Sequence, residues 1–168
     1  MSVVYRYPVH EACKANDVSV LKLLLSEERW VSEIDKKDGN GWVPVYYAVR
    51  NENAEIASIL LAYGSRVDHI YLQFFCVNNN IDMMKLFMQK GVDVNQQDTL
   101  GNTLLLIACK IYSRIAGKYG SMEMVAYLVE SGANIYMTDN AGRRAFDVAC
   151  QLGNVEIMEY LGSLMYPN

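Results

Sequence analysis

Residues 38–68 read DGNGWVPVYYAVRNENAEIASILLAYGSRVD. Asp38 to Gly41 has the composition of a tight turn. Pro44 follows at a position where the first residue of a helix does not need its N–H. After Asn51 to Asn53, Ile56, Leu60 and Leu61 recur at helical spacing, and Gly64 closes the pattern where a helix C-terminus takes a left-handed residue. The stretch therefore predicts a turn, a short helix and a second helix antiparallel to the first. Such a pair is too small to bury its own apolar face, so it predicts neighbours of the same kind.

Those neighbours can be found on both sides. Segments like VPVYYA (43–48) recur as YPVHEA (7–12), TLLLIA (103–108) and RAFDVA (144–149), with a weaker IYLQFF at 70–75. Each is followed by an apolar helix-period run: LKLLL (21–25), IASILL (56–61), MMKLFM (83–88), MVAYLV (124–129) and IMEYL (157–161). The alanine-equivalent positions 12, 48, 75, 108 and 149 are spaced by 36, 27, 33 and 41 residues. Asp-x-x-Gly turns recur at Asp38, Asp98 and Asp139, and Pro8 matches Pro44.

The quoted stretch, DTLGNTLLLIACK (98–110) and GSMEMVAYLVESGANI (120–135) resemble the ankyrin repeat. The resemblance covers essentially the whole chain. It implies an all-α solenoid of stacked antiparallel helix pairs with short turn or hairpin connections. The expected layout is one domain over 1–168, with repeats at 5–34, 38–67, 68–95, 98–135 (insertion near 111–119) and 139–165. The family's paired Thr and His at the start of the first helix never occur together here, so the array should be less stable than consensus repeats. In the last repeat Arg144 and Asp147 are placed to substitute an ion pair. The third repeat should lack its projecting finger, because Val67, Asp68 and His69 run straight into Ile70. In the fourth, KIYSRIAGKYG (110–120) either lengthens the first helix or adds a loop.

Composition excludes several function classes. With 168 residues, 52% of them hydrophobic, the chain can bury roughly 68–70% of its unfolded surface without disulfides or metals. Lys and Arg number 15 against 19 Asp and Glu, for a net charge of −4 and no basic run, which argues against nucleic acid. The longest wholly apolar run, Leu104 to Cys109, falls far short of the ~20 residues that span a bilayer. The opening MSVVYRYPVHEAC lacks the charge and apolar pattern of a secretory leader. A reducing cytoplasmic or nuclear setting is expected, or the host cytosol for an effector.

Cys13, Cys76, Cys109 and Cys150 each follow an alanine-equivalent position and share one slot, where a small inward side chain is expected. No Cys-x-x-Cys, phosphate-loop, dinucleotide or His-Glu-x-x-His string occurs, so no cofactor or metal is indicated. His10 with Cys13 is the one conceivable nucleophile and base pair; the alternative is a turn-bonding His beside a core Cys. GVDVN, ending at Asn95, resembles the asparagine-hydroxylation context of ankyrin domains and equally suits an ordinary turn between repeats.

The resemblance implies a non-enzymatic module, monomeric when free, that binds another protein through turn tips and the exposed side of the first helices. Carried over by position, the face comprises Lys37, Asn40, Trp42, Arg50 and Asn51, then Thr99, Leu100, Asn102 and Lys110, then Asn140, Arg143 and Gln151. Arg6 and Lys14 extend the row, and the insertion contributes Tyr112 and Arg114. Trp42 beside Arg50 is the expected anchor. With only GSLMYPN after the last repeat, the expected roles are adaptor, masking inhibitor or complex subunit. The alternative is a viral or bacterial effector similar to the IκB group of inhibitors.

Overall fold

The computed structural model describes residues 7–113 and 118–166, excluding the side chains of 112–119. The chain divides between Val67 and Asp68 into two compact units. The first holds α1 (Pro8–Lys14), α2 (Val18–Leu25), α3 (Glu28–Val31), α4 (Pro44–Arg50) and α5 (Ala54–Ala62). There α1 packs on α2 and on α4, α4 on α5, and α2 on α5. The second holds α6 (His69–Val77), α7 (Ile81–Met88), α8 (Leu104–Lys110), α9 (Met122–Glu130), α10 (Ala145–Gln151) and α11 (Val155–Met165). Here α6 packs on α7, α8 on α9 and α10 on α11, while α8 lies between α6 and α10. In each unit, first helices stack on first helices. The fold is all-α, with one short antiparallel ladder, β1 (Tyr112–Ser113) on β2 (Lys118–Tyr119), among the described residues.

One local device makes every helix pair. The residue that caps the second helix donates its N–H back to the carbonyl at the alanine slot: Asp17 to Ala12 at 2.9 Å, Asn53 to Ala48 at 3.0 Å, Asn80 to Phe75 at 2.8 Å, Ser121 to Ala108 at 3.3 Å and Asn154 to Ala149 at 3.0 Å. In all five, the side chain of the capping residue accepts from the N–H three residues on, satisfying an orphan donor. The residue just before each cap has positive φ: Asn16, Glu52, Asn79, Gly120 and Gly153.

The insertion in the fourth repeat leaves this closure intact. α8 stops at Lys110, and the extra residues between Ala108 and Ser121 leave the helix at Ile111 and pair Tyr112 with Tyr119 and Ser113 with Lys118. Of the two sequence readings, the structure takes the added loop. The third repeat is short in the way its spacing predicts: residues 63–68 alone join α5 to α6, and Asp68 caps α6 directly. Phe75 fills the slot held elsewhere by alanine, fully buried and edge-on to Phe87 at 4.9 Å.

Three cysteines point inward as expected. Burial pushes the thiols of Cys13, Cys76 and Cys109 up to about 12. The Cys76 thiol lies 3.6 Å from the Leu104 carbonyl of the next first helix. Cys150 corrects the expectation: it is exposed. Its slot faces where a succeeding first helix would stack, as α4 does on α1 and α8 on α6, and among the described residues none stacks on that side of α10.

Candidate functional site

Three Asp-x-x-Gly turns present the tips, and they are built alike. In each, the Asp carboxylate accepts two N–H groups of its own turn: Asp38 from Asn40 and Trp42, Asp98 from Leu100 and Asn102, Asp139 from Ala141 and Arg143. Asp38 also pairs its backbone N–H with the Trp42 carbonyl at 2.8 Å, and Asp139 does the same with Arg143 at 3.0 Å.

In two of the three turns, the second oxygen of the carboxylate also reaches a lysine of the preceding repeat. In the first unit, Asp38 Oδ2 accepts from the Tyr47 hydroxyl at 2.6 Å and meets Lys14 Nζ at 3.3 Å. In the second, Asp139 Oδ2 meets Lys110 Nζ at 2.9 Å and Arg143 Nη2 at 2.7 Å. Lys14 and Lys110 occupy the same slot, each ending an Ala-Cys-Lys string. The Tyr47 hydroxyl holds the Asp38 carboxyl well below the usual carboxylate range, and the Arg143 guanidinium does so for Asp139.

A carboxyl depressed on folding contributes stability that is present above its unfolded pKa of about 3.9 and is lost as pH falls toward the folded value. The share of stability held by these carboxyls should therefore be full at neutral pH and be lost below about pH 4, read as a fall in the urea midpoint over that range. Asp139→Asn should flatten that decline. An equally steep decline in the variant would remove the Asp139 ties from the account.

These ties sort the expected face. Asn102 is corrected: only 8% exposed, it donates to the Asp98 carboxylate and accepts from Lys110, so it does not line a surface. Lys110 and Arg143 already spend their charge on Asp139. Asn51 donates to the Cys13 and Lys14 carbonyls at the end of α1. Asn140 joins two turns, donating its N–H to the Leu100 carbonyl and its side-chain N–H to the Thr99 carbonyl. Gln151 is exposed and accepts from Arg143. Arg6 and Arg114 lie outside the described residues, as does the side chain of Tyr112.

What remains exposed in the first unit is Lys37, Asn40, Trp42 and Arg50. The ring partner of Trp42 is Tyr46 rather than Arg50, stacked at 4.0 Å between centroids with planes 9° apart. Tyr46 stands in its repeat at the position that His10 holds in the first. In the second unit, Thr99 and Leu100 project from the tip, Leu100 being 66% exposed. Sequence patterning missed Ile70, Phe74 and Val77, which form an exposed apolar stripe on α6 at i, i+4 and i+7. The signal was present, because α6 is apolar on both this stripe and its buried one of Leu72, Phe75 and Cys76.

The nucleophile pair does not assemble. His10 is buried, and its Nε2 lies 2.9 Å from the Lys36 carbonyl and 3.1 Å from the Trp42 carbonyl, two acceptors that require it to carry the proton. With its thiol pushed up by burial, Cys13 is not prepared for attack at neutral pH. No cluster of three or more His, Cys, Asp or Glu suited to a metal occurs among the described residues. Asn95 serves the turn between repeats, accepting from the Asn134 N–H at 2.7 Å and donating to the Gly132 carbonyl. Arg144 and Asp147 make the predicted ion pair at 2.9 Å, and the carboxylate also accepts the Arg144 N–H.

The family model for ankyrin repeats (3 copies) matches residues 3–71 and again 72–166. The chain belongs to the ankyrin-repeat family. Among its relatives is the probable 26S proteasome regulatory subunit p28 of Saccharomyces cerevisiae, 24% identical over 94% of this chain and 70% of that protein. Protein glp-1 of Caenorhabditis elegans is 25% identical over 86% of the chain, which spans only 12% of glp-1. An ankyrin repeat protein of fowlpox virus, FPV115, is 26% identical over 88% of the chain and 26% of its own length. Ankyrin repeats are protein-interaction folds, and no described helix is long and apolar enough to cross a membrane.

Proposed function

We propose that this ankyrin-repeat protein acts by occupancy, without catalysis, binding a partner protein through turn tips and first helices as an adaptor, masking inhibitor or complex subunit. The observation that carries the proposal is the set of side chains the core does not use. Trp42 is 45% exposed in the first unit, and Ile70, Phe74, Val77 and Leu100 are exposed in the second. Large apolar groups kept in water on the faces that ankyrin repeats use for recognition are the usual anchors of an interface. A preformed helical face also loses little entropy on docking. The subunit role is favoured by the likeness to p28, because the chain spans most of that protein. Action as a free monomer in the cytoplasm or nucleus, away from nucleic acid, belongs to the same proposal.

The test is quantitative affinity purification with the parent protein, Trp42→Ala and the double variant Ile70→Ser, Phe74→Ser. A partner retained by the parent and lost by at least one variant is expected. Equal retention by all three would contradict the proposed faces. An effector role against a host finds support in the fowlpox relative. A partner encoded by a host genome would favour it, and a partner from the protein's own genome would favour the subunit role.

A further inference from the structure

The first unit carries a more specific feature than general exposure. Among its described residues, Lys14 is paired with Glu11 and Asp38, Lys22 with Glu55, Arg29 with Glu27, Lys36 with Glu33 and Arg66 with Asp35. Lys37 and Arg50 make no ion pair with any described residue, and both are exposed.

These two cations flank the aromatic stack. Arg50 lies one helical turn beyond Tyr46 on α4, so the two share a face. Trp42 stacks on Tyr46. Lys37 enters the turn that carries Trp42, and the two ends of that turn are held together by His10 Nε2 on the Lys36 and Trp42 carbonyls and by the Asp38 N–H on the Trp42 carbonyl. Along the backbone the order is Lys37, Trp42, Tyr46, Arg50, so the two cations bracket the aromatic pair. In a chain of net charge −4, two uncompensated cations around an exposed indole are a local exception.

We propose that this face docks an acidic segment of a partner protein, with an aromatic or aliphatic side chain of the segment against Trp42 and its carboxylates on Lys37 and Arg50. This rests on the protein-binding function proposed above and names its chemistry. Carboxylates gain on-rate and register from the two cations, and the ring contact supplies the desolvated anchor. A basic segment would meet Lys37 and Arg50 with repulsion, and a neutral one would leave both unused.

The probe is a short synthetic peptide of Asp and Glu around a central Phe-Leu pair, titrated at low salt. Trp42 emission is read in the full chain carrying Trp30→Phe, which leaves one tryptophan. Saturable binding that weakens with salt is expected. Lys37→Glu with Arg50→Glu should weaken it at least about tenfold, whereas Lys22→Glu with Arg29→Glu, an equal change in net charge elsewhere on the unit, should leave it within about twofold. Thermal unfolding of each variant confirms folding, which exposed substitutions should barely alter.

Equal binding of a peptide with Asn and Gln in place of Asp and Glu would overturn the proposal, as would indifference to the Lys37 and Arg50 reversals. A parallel selection from a random peptide library separates the two levels. Retained peptides that are neutral or basic and insensitive to Trp42→Ala would overturn the acidic-segment proposal while supporting protein binding. No saturable binding of the acidic peptide, with no library peptide retained, would overturn the docking site altogether.

Discussion

Gly101→Ala should cost about 3 kcal/mol of stability, while Gly64→Ala should cost only about 1–2 kcal/mol. Both glycines have positive φ, +76° and +92°, so both variants pay the left-handed backbone penalty of an L side chain. They differ in what surrounds them. A Cβ on Gly64 would meet nothing within 4 Å. A Cβ on Gly101 would lie 2.7 Å from the Asn140 backbone nitrogen and 3.1 Å from the Asp139 carbonyl carbon. That backbone belongs to the next turn, held by the Asn140 bond to the Leu100 carbonyl and by the ties of Asp139 to Lys110 and Arg143. It has little freedom to retreat, and overpacking adds about 1–3 kcal/mol. Urea unfolding midpoints of the two variants decide the matter. If Gly101→Ala is no worse than Gly64→Ala, the close approach of the two turns is wrong.

Restoring alanine at position 75 should destabilise the protein by about 3–5 kcal/mol, although alanine occupies that slot in the other four repeats. Ala12, Ala48, Ala108 and Ala149 are buried beside helices that leave room for a methyl group. Phe75 is instead part of an aromatic cluster, its ring 4.9 Å from Phe87, which faces Tyr71 at 6.1 Å. Removing a fully buried ring leaves a cavity that the surrounding rings can only partly close. A stable Phe75→Ala variant by the same unfolding assay would mean that the family pattern, rather than the packing around α6, governs this slot.

The helix pairs were legible because their signals are local. Pro8 and Pro44 open first helices, Gly64, Gly91 and Gly132 follow the second helices α5, α7 and α9, and Arg144 with Asp147 sit one turn apart. The face was less legible because exposure depends on residues distant in the chain. Asn51 looks free until the Cys13 carbonyl is placed beside it, and Lys110 looks free until Asp139 is. The recurrence of Ala-Cys-Lys at 12–14 and 108–110, each ahead of an Asp-x-x-Gly turn, was the one available clue to those ties. Cys150 shares the inward slot by sequence, but burial there requires a following helix, which no periodicity at position 150 can report.

Counting thiols in the native protein tests the stacking of first helices most directly. With a colorimetric disulfide reagent at neutral pH, one cysteine, Cys150, should react at once, while Cys13, Cys76 and Cys109 react only on unfolding. Cys150→Ser should abolish the fast phase. Two or more fast thiols, or a fast phase that survives Cys150→Ser, would mean that the shared slot does not face the neighbouring helix.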